Sequence, residues 1–371
     1  MDYGKKARLA LAALNREKTE GIPAGLIHIM QHSVIERLAG DAPGSYANDP
    51  HGVYLKMCEN VGVCMIDQYI ATNPLAMGDN GYERGGGTAT TGGLAVCDGI
   101  LIDSPEAVVT HIEKFAIPEL EKYAAKFDAA EFEQAVINNE SMIQKLIGPE
   151  ILKTGYGQLG FPYFDYGAYG YEPYFSAYAL YPDVIENLFK AYADYFTPRN
   201  AAVVNAYKRA GLPLYHRLDH DMADSRGLLT GVPSLEKIWL PHFERCIRPA
   251  ADAGFNLLWH CDGNLSELVP LLIECGVNGF QGFQYEDGMD YAKICKMRAR
   301  NGESLIIEAG VSVTRELPFG KTADVKRQLK FLVENGPETG LFLAFSSSCV
   351  PGTPFENIEA AIEGIKYYGI Q

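Results

Sequence analysis

No two cysteines in this 371-residue chain stand at Cys-x-x-Cys spacing, which removes the usual zinc-ribbon and thioredoxin-type readings. The eight cysteines (Cys58, Cys64, Cys97, Cys246, Cys261, Cys275, Cys295, Cys349) are scattered, with no leader-like segment ahead of them. Reduced thiols in a cytoplasmic protein are the expectation. No apolar run approaches the ~20 residues that a membrane helix requires, so no membrane association is expected. No run of Lys or Arg interrupts a formal charge of −15, and that field repels nucleic acid and anionic surfaces. A polycarboxylate ligand would need a basic pocket, for which the sequence offers no evident basic stretch. Gly85-Gly86-Gly87 lacks the Gly-Lys-Ser/Thr that follows in a phosphate loop, and its segment, Tyr82 to Gly93, reads as a flexible turn or a lid. No compositional linker divides the chain, so residues 1–371 are read as a single domain.

Hydrophobic residues make up 47% of the chain and charged residues 21%, enough apolar surface for one large core without disulfides. The second half alternates helical segments ending in Gly with short apolar runs ending in polar residues, the rhythm of βα units. A helix from Ser234 or Pro233 through Ala253 precedes a strand from Phe255 to Trp259 that ends at His260. A helix from Leu265 to Cys275 leads to a strand from Val277 to Phe283, and a helix from Asp290 to Asn301 to a strand from Ser304 to Glu308. A helix from Ala323 to Glu334, capped by Thr322, precedes a strand from Leu341 to Phe345 and a last helix from Glu356 to Tyr368. Upstream, Pro182 to Ala210 reads as a long helix before a strand from Leu212 to Leu218, and Ala24 to Met30 as a first strand. Met1 to Lys18 reads as an amphipathic helix, and helices run from Ser104-Pro105 to about Ile147. The architecture expected is a (β/α)₈ TIM barrel with N-terminal helical and loop insertions, within the length range of such barrels.

Barrel enzymes place their chemistry where strand C-termini converge. Here those ends supply Asp219 and Asp221, His260 and Asp262, Gln284 and Glu286, Glu308, and Ser346-Ser347-Ser348-Cys349. Ionisable groups gathered from several strands shift one another's pKa values and can hold a metal or relay a proton. His260 is the leading candidate, set against a histidine satisfied by a loop carbonyl. Asp262 alone reads as an Asx-turn or capping residue. Cys349 is a zinc ligand or a small buried hydrophobe. Glu308 is a ligand, a base, or the partner of Arg315. The tyrosines from Tyr156 to Tyr181, Tyr163 and Tyr166 among them, either wall a substrate pocket or form a packed cover.

Several stretches taken together resemble the uroporphyrinogen decarboxylase superfamily. They are Arg217-Leu218-Asp219-His220-Asp221, Gly231 to Glu236, His260-Cys261-Asp262-Gly263-Asn264, Ala309-Gly310-Val311-Ser312 and Ser348-Cys349-Val350-Pro351-Gly352-Thr353-Pro354. The resemblance is good from Arg217 to Ile358 and loose over the first half. It implies the uroporphyrinogen decarboxylase-like barrel and either decarboxylation or methyl transfer. True decarboxylases carry an Arg-Gln-Ala-Gly-Arg type motif near the N-terminus, where this chain has Ile29-Met30-Gln31-His32-Ser33. Methyltransferase relatives ligate zinc through His-x-Cys and a second Cys. This chain keeps His260 and Cys349 but offers Asp262 in the middle position.

The resemblance therefore implies a corrinoid-linked methyltransferase acting on a small O-, N- or S-methyl compound. Zinc would be held by His260, Asp262 and Cys349, with Asp219, Asp221 and Glu308 orienting substrate or ligands. Arg217, Tyr163, Tyr166, Gln284 and Glu286 are read as substrate-binding. A metal-free uroporphyrinogen decarboxylase and a non-catalytic barrel that binds a small ligand or corrinoid partner are the alternatives. A homodimer is left open.

Overall fold

A computed structural model of the chain describes residues 2–72 and 94–369, so the segment from Tyr82 to Gly93 lies outside the described residues. Eight short parallel strands carry the centre: β1 (Met65–Ile66), β2 (Leu152–Lys153), β3 (Gly155–Tyr156), β4 (Tyr215–Asp219), β5 (Asn256–His260), β6 (Gly279–Gln281), β7 (Ile306–Val311) and β8 (Leu341–Phe345). Six of them form one sheet in the order β8-β7-β6-β5-β4-β3, while β1 and β2 pair separately. Every residue of β7 and β8 is buried, as strands covered on both faces require.

The closed barrel expected from the alternation is not formed by continuous ladders. Residues 24–30, expected as a strand, join their neighbours by single parallel bridges, Ala24 to both Val63 and Leu343, and Ile29 to Cys349. Backbone bonds from the Gly25 N–H to the Leu343 carbonyl and from the Met30 N–H to the Cys349 carbonyl hold the segment beside its neighbours at these points.

Helices fall close to their expected places. Pro182–Ala210 and Leu341–Phe345 have the predicted bounds, and the last helix is Phe355–Tyr368. Pro182–Ala210 buries Ile185, Leu188, Phe189, Val203 and Tyr207 along one stripe, each apolar side chain contributing roughly 1.5–3 kcal/mol. The helix expected over 233–253 is one helical run with a wider π turn at Leu235–Trp239, just before Pro241. Thr322 is the first helical residue and not the cap; the Asp324 carboxylate accepts the Lys321 N–H at 2.8 Å instead. The first helix is shorter than expected, Lys5–Leu14, because Arg16 turns into the left-handed region at φ +57°. That conformation lets its guanidinium reach the Ser304 carbonyl (2.6 Å) and Asn256 Oδ1 (2.8 Å), tying the N-terminal helix to the sheet end opposite the site. Among the described residues no helix is long and apolar enough to cross a membrane.

Candidate functional site

Strand register assembles the site. Asp219 pairs with His260, His260 with Gln281, and Gln281 with Glu308, so one row across β4, β5, β6 and β7 carries four polar side chains. Residues in one register row project to the same side of a sheet, and all four line a cavity of about 490 Å³. Arg217, Asp221, Asp262 and Gln284 line it too, along with His28, Tyr156, Ser347 and Ser348.

One wall gathers three groups of the kind that ligate metals. Potential ligand atoms of Asp221, His260 and Asp262 all lie within 4.8 Å of one another. The Asp262 N–H donates to Asp221 Oδ1 at 2.8 Å, the Tyr166 hydroxyl donates to the Asp221 carbonyl at 3.0 Å, and the Ser347 hydroxyl donates to Asp262 Oδ2 at 3.2 Å. Asp262 Oδ1 and His260 Nδ1 are buried with no hydrogen-bond partner among the described residues, and His260 Nε2 stands 3.9 Å from Asp262 Oδ1. Burial and then the Asp262 charge push the Asp221 carboxyl above its ordinary value. A buried oxygen left without a donor and two adjacent carboxylates cost free energy that a bound divalent cation would offset.

Gly282 backs this wall. Its φ is +88°, and a Cβ there would lie 2.8 Å from His260 Nδ1 and 2.9 Å from the Cys261 carbonyl. Gly282→Ala is therefore expected to displace the imidazole and weaken divalent-metal binding by about 10- to 100-fold, the usual scale for disturbing a ligand's support. Calorimetric titration with zinc measures it.

The floor holds a charge network. Arg217 Nη1 meets Asp67 Oδ2 at 3.2 Å and Nη2 meets Asp219 Oδ2 at 2.6 Å, and the Tyr156 hydroxyl donates to the same Asp219 oxygen at 3.2 Å. Burial resists ionisation of Asp219, but His260, Arg217 and these hydrogen bonds together hold it below the usual carboxylate range. Glu308, 3% exposed, shares this floor. Burial and the nearby Asp67 charge lift its carboxyl to about 8 against the pull of Arg217 and the Leu26 N–H.

Other predicted residues lie elsewhere. Cys349 does not line the cavity. It is buried, its N–H is given to the His28 carbonyl, and burial raises its thiol to about 11, so the cluster contains Asp221 where the sequence suggested this thiol. Tyr163 and Tyr166 pack in the aromatic cover around His220 instead of facing the cavity. Glu286 accepts the Ser312 hydroxyl at 2.5 Å and a bond from Thr314, outside the cavity wall. Arg315 donates to the Glu286 carbonyl at 3.4 Å, so the pairing considered for Glu308 is not made. Gln284 does line the cavity, its Oε1 taking the Gly263 N–H at 2.8 Å. The turn role weighed for Asp262 falls to Asn264, whose Oδ1 accepts the Ser266 N–H. Sequence reasoning missed His28 and Tyr156. The first is the lone imidazole in the apolar stretch 24–30, and the second opens the tyrosine-rich segment.

No protein-family model matches this sequence, and no curated protein matches it. Among solved structures, a methyltransferase from Methanosarcina mazei superposes with a TM-score of 0.58 at 17% identity, over 98% of this chain and 98% of that one. A structure described as that of a putative vitamin-B12 independent methionine synthase from Listeria monocytogenes gives a TM-score of 0.43 at 11% identity, over 94% and 97% of the two chains. The first likeness is one of fold, an α/β architecture around a parallel sheet.

Proposed function

We propose that this chain, residues 1–371 acting as one unit, is a methyltransferase that moves a methyl group between a small methylated compound and a corrinoid held by a partner protein. In this reading residues 24–30 are a strand between β1 and β8, and β2 and β3 count as one strand across Thr154, so the eight close into a (β/α)₈ barrel of the uroporphyrinogen decarboxylase type with the cavity at its mouth. The observation that carries the proposal is the cluster of Asp221, His260 and Asp262, in which His260 Nε2 stands 3.9 Å from an Asp262 Oδ1 that has no hydrogen-bond partner among the described residues, an arrangement that suits a bound cation. One imidazole and two carboxylates are acceptable zinc ligands, and an oxygen-rich set of this kind also suits harder divalent ions. A bound zinc ion would supply Lewis acidity toward the substrate heteroatom.

The chain's own groups do the rest. Ser347 and the Asp262 N–H fix the two carboxylates, Tyr166 anchors the Asp221 backbone, and Asp219 and Gln281 offer an acceptor and an amide to the substrate from the same row. Porphyrinogen decarboxylation fits poorly, because Asp219, Asp221 and Asp262 line the cavity while Arg217, the one guanidinium lining it among the described residues, already bonds Asp67 and Asp219. A tetracarboxylate would meet like charge.

The test is methyl transfer to free cob(I)alamin from methanol, trimethylamine and dimethyl sulfide, followed by absorbance before and after chelation. We expect about one metal ion per chain, transfer from at least one donor, and loss of transfer on chelation with recovery on zinc addition. Full activity in metal-free protein, or no transfer from any donor by metal-loaded protein, would overturn the proposal. The second outcome is the one a purely ligand-binding barrel gives.

A further inference from the structure

Three carboxylates and one guanidinium meet on the cavity floor. The groups facing Glu308 are the Leu26 N–H and His28 from the extended segment, Asp67 beyond β1, Tyr215, Arg217 and Asp219 from β4, and Gln281 from β6. Arg217 is the cation that reaches it, and both of its terminal nitrogens are bonded to Asp67 and Asp219. Glu308 is thus a carboxyl group on the cavity wall, 3% exposed, with no cation of its own among the described residues. On its back side the carboxyl rests on Gly25, where a Cβ would fall 2.0 Å from Oε1, so the cavity is the side left open to it. The register places it two strands from His260, about 10 Å between backbones. The cavity that both line, about 490 Å³, is of a size to hold one small molecule.

We propose that Glu308 is the acid that protonates the departing oxygen when an O-methyl donor gives up its methyl group in this cavity. This rests on the methyl-transfer reading above. The methyl carbon–oxygen bond breaks with its electron pair staying on oxygen. The carbon forms a new bond with the electron pair of a reduced cobalt(I) corrinoid, and the Glu308 proton passes to the oxygen. R–O–CH₃, Co(I) and the neutral acid become R–OH, CH₃–Co(III) and the Glu308 carboxylate. Burial and the Asp67 charge keep the group neutral near pH 7, so the reactive form is present below about 8 and disappears as pH rises through that value.

Infrared difference spectra of wild type against Glu308→Gln at pH 7 should show a protonated carboxylic-acid carbonyl band that shifts in deuterium oxide and is missing from the variant. In transfer to cob(I)alamin, Glu308→Gln should lose about a hundredfold or more with anisole, whose phenolate needs a proton. It should lose far less with 4-nitroanisole, whose leaving group does not, and the fall in wild-type rate above about pH 8 should vanish. A role confined to structure would lower both donors alike and leave the pH profile in place. Absence of the acid band while transfer persists would overturn the inference and leave the methyl-transfer reading standing. No transfer from any methyl donor by metal-loaded wild type would overturn both.

Discussion

His260→Ala should reduce zinc binding by more than about a hundredfold and bring methyl transfer down to background, while far-ultraviolet circular dichroism stays unchanged. Disturbing a ligand's outer support already costs 10- to 100-fold in affinity, and this substitution removes the ligand itself. It also removes the imidazole that offsets the pair, and the Asp262 charge already raises Asp221. Retention of zinc within tenfold of wild type would mean that the ion, if bound, sits elsewhere.

The second large effect is on stability. Arg217→Ala should destabilise the fold by about 3–5 kcal/mol, the usual cost of removing one partner from a buried charged pair, read as a lower urea midpoint at pH 7. Asp67 and Asp219 would be left buried without their guanidinium. The pH dependence has a definite sign. The folded value of Asp219 lies below its ordinary one, so its contribution is complete above the ordinary carboxylate range and is lost as pH falls through the depressed value. The deficit of the variant is therefore largest near neutrality and shrinks in acid. Arg217→Lys should recover only part of it, since an ammonium is a point charge and cannot reproduce the planar fork that spans both carboxylates.

Much of this was legible because parallel strands covered on both faces are written as apolar runs, and Leu341–Phe345 is such a run with the predicted bounds. The polar residues just beyond the runs marked the site, and Asp219, His260 and Glu308 do share one row. Which of them close on one another depends on register and loop path. Asp221 lies 41 residues before Asp262, and the contact between them is made by the Asp262 N–H, a backbone donor that no side-chain pattern announces. Cys349 looked like a ligand because family resemblance places a thiol there, yet its N–H is given to the His28 carbonyl and its side chain leaves the cavity wall to Ser347 and Ser348. His28 went unseen for a related reason. It sits in a stretch joined to its neighbours only by single bridges, so no regular strand alternation marks which way it faces. Tyr166 looked like a substrate wall, but it holds the Asp221 backbone, a hydrogen bond invisible in composition.

The most direct test of the metal-centred account is anomalous diffraction at the zinc edge from crystals of the zinc-loaded protein. The account predicts one peak enclosed by Asp221, His260 and Asp262, inside the cavity floored by Glu308 and Arg217. A peak bound through Cys349 without the two aspartates, or no peak in the cavity at full zinc occupancy of the sample, would contradict it.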